Sequence, residues 1–147
     1  MLRKKKVNIL LLVLMIFVAG CFNLSVEAAA PTSEEYMSES TIQPRGYYLA
    51  EGTSGITKVS TYKLNAMGDT TAARRCEVSV SVVVEKYLED RGWVYYTSWQ
   101  TTNTNAFSAS ISKTIYVDLG YFYRVVSTHT AGTDTSSSFT NAIWMGL

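Results

Sequence analysis

Cysteine, proline and histidine are all scarce: two, two and one among 147 residues. Two cysteines are too few to staple a small secreted domain through disulfides. One histidine excludes a multi-imidazole metal centre, and the aspartates are scattered singly rather than clustered as ligands. Two prolines with nine glycines exclude a collagen-like or proline-rich disordered chain. An excess of charge of one sign is missing too. Thirteen Lys+Arg stand against twelve Asp+Glu, a formal +1, which gives no field to favour nucleic acid or an acidic polymer. Residues 1–30 hold four of the cations and one acid, so the remainder carries a net −2.

A long hydrophobic run is also lacking. The uninterrupted apolar stretch from Ile9 to Ala19 falls short of the ~20 residues that comfortably span a bilayer. It follows a basic cluster, Arg3-Lys4-Lys5-Lys6, and precedes small residues. That is the layout of a secretory signal peptide, whose apolar part enters the membrane as a helix. Two processing sites compete. Val26-Glu27-Ala28 and Ala28-Ala29-Ala30 offer the small residues that a general signal peptidase reads. Val18-Ala19-Gly20-Cys21 resembles a bacterial lipobox, in which Cys21 becomes the acylated first residue, although Phe22 is bulkier than the residue that usually follows. Cleavage near Ala28 to Ala30 with release outside the cell is the expectation. A lipid anchor at the outer face of the cell membrane through Cys21 is the alternative. Either way the mature form carries no transmembrane segment and Cys76 has no disulfide partner within the chain. Cys76 is then a buried small hydrophobe or a free thiol that Arg74 and Arg75 would acidify.

Residues 31–45 are polar and acidic and read as a flexible lead, with Gln43-Pro44-Arg45-Gly46 marking the start of the domain. From 46 to 147 no useful helical periodicity appears. Apolar residues instead recur at a period of two, most plainly in Val78-Ser79-Val80-Ser81-Val82-Val83-Val84. β-Branched residues at alternate positions disfavour a helix and fit a half-buried strand. Leu88 to Gly92 reads as a hairpin loop, with Gly92 suited to positive φ. Trp93, Tyr95, Thr97 and Trp99 then share one side of the next strand. Further strands are read at Tyr47–Ala50, Ile56–Leu64, Ser108–Val117, Tyr121–His129 and Ser137–Met145. Turns are read at Gly52–Gly55, Asn65–Asp69, Asp118–Gly120 and Ala131–Asp134, with a break at Thr101–Asn105. About seven short strands in roughly 100 residues make an all-β fold: a small antiparallel β-sandwich, immunoglobulin-like or Greek-key, after the N-terminal signal helix.

Chemistry is poorly marked. His129 has no Gly-x-Ser-x-Gly elbow to raise one serine above the others, and it reads as a strand-end residue at a sheet edge. Glu85, Glu89 and Asp90 alternate with Lys86 and Arg91, as edge charges do. No phosphate loop, dinucleotide fingerprint or calcium loop occurs, so no cofactor is expected. Aromatic residues are the positive signal. Alternation exposes some of them when one face is buried, and exposed rings can stack on sugars or form a protein-binding patch. Tyr96, Trp99, Tyr121 and Tyr123 are the candidate binding residues, with a cell-envelope glycan or protein as the partner class.

The segments Glu34–Gly46, Tyr95-Tyr96-Thr97-Ser98-Trp99 and Gly120-Tyr121-Phe122-Tyr123-Arg124-Val125 through Thr128-His129 resemble a domain-of-unknown-function family of small secreted proteins from Gram-positive bacteria. The resemblance implies export and a β fold, and no activity. The aromatic-rich strands are also similar, more faintly, to those of lactococcin-972-type bacteriocins. The expectation is an exported, non-enzymatic β-sandwich acting by binding at or outside the cell surface. The alternatives are a secreted bacteriocin-like toxin and, third, an extracellular hydrolase.

Overall fold

The computed structural model describes residues 37–44 and 46–147. The segments expected to form a signal helix and its cleavage sites, with Cys21, lie outside the described residues. Seven strands make up the fold: β1 (Met37–Ile42), β2 (Leu49–Ser60), β3 (Lys63–Leu88), β4 (Gly92–Tyr116), β5 (Tyr121–Ala131), β6 (Asp134–Phe139) and β7 (Ile143–Met145). All pairings are antiparallel. This is the all-β antiparallel architecture expected from the alternation.

Two long strands turn one sheet into two layers. β3 has 26 residues and β4 has 25, and they pair along almost their whole length. Their register shifts twice between Thr71 and Val78, where Cys76 pairs with Ala106. Asn105 there has φ +50°, and such irregularity bends a strand pair. Residues 63–72 of β3 lie in the first layer, between β2 and the second arm of β4. Residues 78–88 lie in the second layer, between the first arm of β4 and β5. β6 and β7 complete the second layer by pairing with successive parts of β5. The layers meet directly at Gly68, where a Cβ would sit 2.7 Å from a Val82 methyl and 2.8 Å from a Val80 methyl. The bend closes one side of the molecule. At the other, β1 approaches β6, and the Asn141 amide, in the link between β6 and β7, donates to Ser38 Oγ at 2.8 Å.

The alternation of valines reads through into packing. Val78, Val80, Val82 and Val84 are all 0% exposed and point between the layers. Each such side chain contributes ~1.5–3 kcal/mol on burial. Around them lie Leu64, Ile56, Val125, Ile143, Met145 and Tyr123.

Several sequence expectations are corrected. Gly52–Gly55 and Asn65–Asp69 are not turns. They pair with each other inside β2 and β3, and the reversal comes at Thr61–Tyr62 instead. The glycines that suggested turns sit at places of close approach. Thr101–Asn105 is no break either, since β4 runs through it. The final strand is interrupted at residues 140–142, giving β6 and β7. Residues 37–42, within the segment read as a flexible lead, form β1 and pair with residues 52–57. The hairpin at Glu89–Arg91 is present, with Gly92 at φ +69°.

Trp93, Tyr95, Thr97 and Trp99 do not share a side. Val84 pairs with Thr97 and Glu85 with Tyr95, so Tyr96 is an inserted bulge residue that flips the phase. Trp99, opposite Val82, stays on the inner side, whereas Trp93 and Tyr95 lie opposite Tyr87 and Glu85 on the outer face.

Candidate binding cleft and the buried histidine

The hairpin end of the second layer carries a cleft of about 690 Å³. Tyr87 and Leu88 from the end of β3, Glu89 and Asp90 from the hairpin, and Gly120, Tyr121, Phe122 and Trp144 line it. Pairing explains the clustering. Phe122 is directly opposite Trp144, so their rings fall on one face, with centroids 4.8 Å apart. Tyr87 is opposite Trp93, with ring centroids 5.3 Å apart. Arg124 links Trp93 to Glu85. Its guanidinium lies 4.3 Å from the Trp93 centroid and its Nε donates to Glu85 at 2.7 Å. These contacts fix the rings in place, which lowers the ordering cost of a ligand that stacks on them. Glu89 and Asp90 are exposed and bring carboxylate acceptors to the rim.

Of the four aromatic residues singled out from sequence, Tyr121 lines this cleft. Lys86 Nζ sits 4.5 Å from its ring centroid and 3.1 Å from the Asp118 carboxylate. Tyr123 is 0% exposed, a core residue whose hydroxyl donates to the Asp118 carbonyl at 3.1 Å. Burial pushes its phenol pKa far up, so the group stays protonated. Tyr96 packs edge-on against Tyr123 at 5.4 Å, and its hydroxyl donates to the Tyr116 carbonyl at 3.2 Å. Desolvation raises its pKa as well. Trp99 is half-buried, with Lys113 Nζ 5.5 Å from its ring. Cys76 is half-buried at the bend. Phe122, Tyr87 and Trp144, which the sequence did not single out, form the larger part of the cleft. Their signal was positional: aromatic residues on strand ends that a hairpin brings opposite one another.

His129 lies in the core rather than at an edge. It is 0% exposed, and its ring rests against the backbone of Gly52, where a Cβ would lie 2.5 Å from two ring carbons. Nδ1 is 2.9 Å from Thr70 Oγ1, and Nε2 is 2.8 Å from Ser138 Oγ. Thr70 has one hydroxyl proton and gives it to the Ser79 carbonyl at 3.0 Å. Its oxygen therefore accepts, which places the imidazole proton on Nδ1 and leaves Nε2 to accept from Ser138. Ser54 Oγ lies 2.5 Å from Ser138 Oγ and 3.2 Å from the Ser138 carbonyl, and its one proton serves both acceptors. Hydrogen bonds thus run one way from Ser138 through His129 and Thr70 to the Ser79 carbonyl, which accepts the last of them. Desolvation holds the His129 pKa below its ordinary value, against an opposing contribution from Asp69. The ring is therefore neutral. Nucleophilic catalysis also sets a serine beside a histidine, but here the pair is sealed between layers. The orienting group on Nδ1 is a threonine hydroxyl and not a carboxylate.

Among the described residues no three His, Cys, Asp or Glu side chains come together as metal ligands. No described helix is long and apolar enough to cross a membrane. No family model matches the chain. No curated protein matches it either. Among solved structures the chain is similar to the solution structure of R. palustris CsgH, with 14% identity over 71% of this chain and 91% of that one, at a TM-score of 0.39. At that distance no role carries over.

Proposed function

We propose that the protein is exported and acts by binding, with the aromatic cleft at the hairpin end as its ligand site and a cell-envelope glycan as the ligand class. The cleft carries the reading. Four aromatic side chains, Tyr87, Tyr121, Phe122 and Trp144, share one concavity with two rim carboxylates. Aromatic faces take the C–H faces of sugar rings, and carboxylates accept hydrogen bonds from sugar hydroxyls. The burial of the one histidine supports binding over hydrolysis. Export rests on the basic and apolar leader with its small-residue processing sites. Release after Ala28–Ala30 is proposed, with acylation at Cys21 as the alternative fate that an intact mass would reveal.

Tryptophan fluorescence tests the site, because Trp144 lines it. Soluble cell-wall glycan fragments are expected to change the emission saturably. Trp144→Ala should weaken binding tenfold or more, as loss of an anchoring aromatic ring costs ~2 kcal/mol at a binding centre. Equal binding by Trp144→Ala would move the site elsewhere. Absence of binding to every fragment would remove the glycan reading.

A further inference from the structure

Of the residues that line the cleft, the charged ones are both acids, Glu89 and Asp90. The cations around them are already held. Lys86 Nζ lies 3.1 Å from the Asp118 carboxylate, Arg91 Nε 3.6 Å from Asp90, and Arg124 Nε 2.7 Å from Glu85. Lys58, from the first layer, reaches the Gly146 carbonyl at 3.1 Å. Glu89 is exposed and has no ion pair among the described residues.

The rings divide in the same way. Lys86 stands over Tyr121 at 4.5 Å and Arg124 over Trp93 at 4.3 Å. Among the described residues no cation stands over Tyr87, Phe122 or Trp144. These three adjoin on one face. Lys86 pairs with Tyr123, so Tyr87 and Phe122 follow as neighbours across β3 and β5, and Trp144 is opposite Phe122. All three are half-buried, which leaves part of each ring open. A ring face carries negative potential and attracts a cation. Rings and carboxylate therefore ask for the same sign of charge in one place.

We propose that the sugar unit seated in the cleft carries a free ammonium, as a de-N-acetylated amino sugar does, with that cation between Glu89 and the rings of Tyr87, Phe122 and Trp144. This rests on the glycan reading of the cleft and narrows it. An N-acetylated sugar presents a neutral amide instead, which gives Glu89 no countercharge and the rings no cation. A lysine side chain supplies the cation but no flat body to cover three rings. The amino sugar supplies both.

Calorimetric titration of the protein with a β-1,4-linked glucosamine tetramer, its N-acetylated counterpart and tetralysine tests this near pH 6, where carboxylates are ionised. The glucosamine tetramer is expected to bind about tenfold more tightly than the N-acetylated one, the combined effect of a cation over rings and an exposed ion pair. Raising the salt from about 0.05 to 0.5 M should remove most of that preference. Glu89→Gln should lower it by about threefold. Glu77→Gln, the same loss of charge at the exposed bend, should leave it unchanged. Equal or tighter binding of the N-acetylated tetramer would overturn the proposal and leave the glycan reading standing, whereas no binding of either tetramer would remove both. Tetralysine binding as tightly as the glucosamine tetramer, or a preference untouched by Glu89→Gln, would also overturn it.

Discussion

The two halves of the interior are built by opposite means. Toward the hairpin end, Leu64, Ile56, Val84, Val125, Tyr123, Ile143 and Met145 exclude water by apolar contact. Toward the bend, positions on the same inward faces hold Ser54, Thr70, Ser127, His129 and Ser138, all buried, among the apolar Leu49, Val78 and Val80. β5 shows the change within one strand, since Tyr123, Val125, Ser127 and His129 occupy successive inward positions. Apolar packing tolerates small shifts at modest cost. A directional chain of hydrogen bonds does not, because a donor left without an acceptor keeps its full desolvation penalty. The polar half therefore holds β2, β3, β5 and β6 in one relative position, and the apolar half supplies most of the stabilisation.

Removing the histidine should break the polar half most severely. His129→Ala leaves a ring-sized cavity and takes away the acceptor of the Ser138 hydroxyl, so a loss of ~4 kcal/mol is expected, comparable to truncation of a large core aromatic. Urea unfolding would read it as a lower midpoint. The slope should be unchanged, because the surface exposed on unfolding is nearly the same. A loss below ~1 kcal/mol would show that the network relaxes as freely as a surface. Gly68→Ala should cost less. It pushes a methyl against Val80 and Val82 where the layers are closest, and overpacking of this kind costs ~1–3 kcal/mol.

The same contrast explains what the sequence disclosed. In Val78–Val84 hydrophobicity and orientation coincide, so the inward face was legible and the strand with it. The hairpin at residues 89–91 and the turns at 118–120 and 132–133 carried ordinary turn chemistry and lie where expected. In β2 and the first arm of β3 the inward positions between the apolar ones are Gly52, Ser54, Gly68 and Thr70, which read as turn or solvent-facing residues. Gly52 is there to admit the His129 ring, and Gly68 to admit two valines. Neither reason is visible without the opposing layer. The cleft was half legible: aromatic excess pointed to binding, but the Tyr96 bulge reversed which rings face out, and Tyr123 went to the core. A bulge is one extra residue in one strand, and nothing within that strand alone marks it.

Acid provides the finest separation of the two halves, because only the polar half contains a group that titrates near neutrality. Folded His129 stays neutral to a lower pH than an exposed imidazole does. Once the chain unfolds, that imidazole binds a proton with its ordinary pKa of about 6.5. Below that value the unfolded state holds more protons than the folded one, so stability falls as pH falls. The loss continues until the depressed folded pKa is reached, at a slope of at most ~1.4 kcal/mol per pH unit. Asp134 acts in a lower window. Its carboxylate accepts from the Tyr48 and Leu49 amides at 2.6 and 3.1 Å, which holds its pKa below the usual value. That contribution is present above the unfolded carboxylate pKa and lost only as pH falls through the folded one. Between pH 7.5 and 5.5 the parent should therefore lose stability, by no more than ~1.4 kcal/mol, the most that one imidazole yields over that interval. His129→Gln should lose almost nothing over it, though less stable at both values. Parallel losses in the two proteins would assign the acid sensitivity to carboxylates and leave the buried imidazole with packing alone.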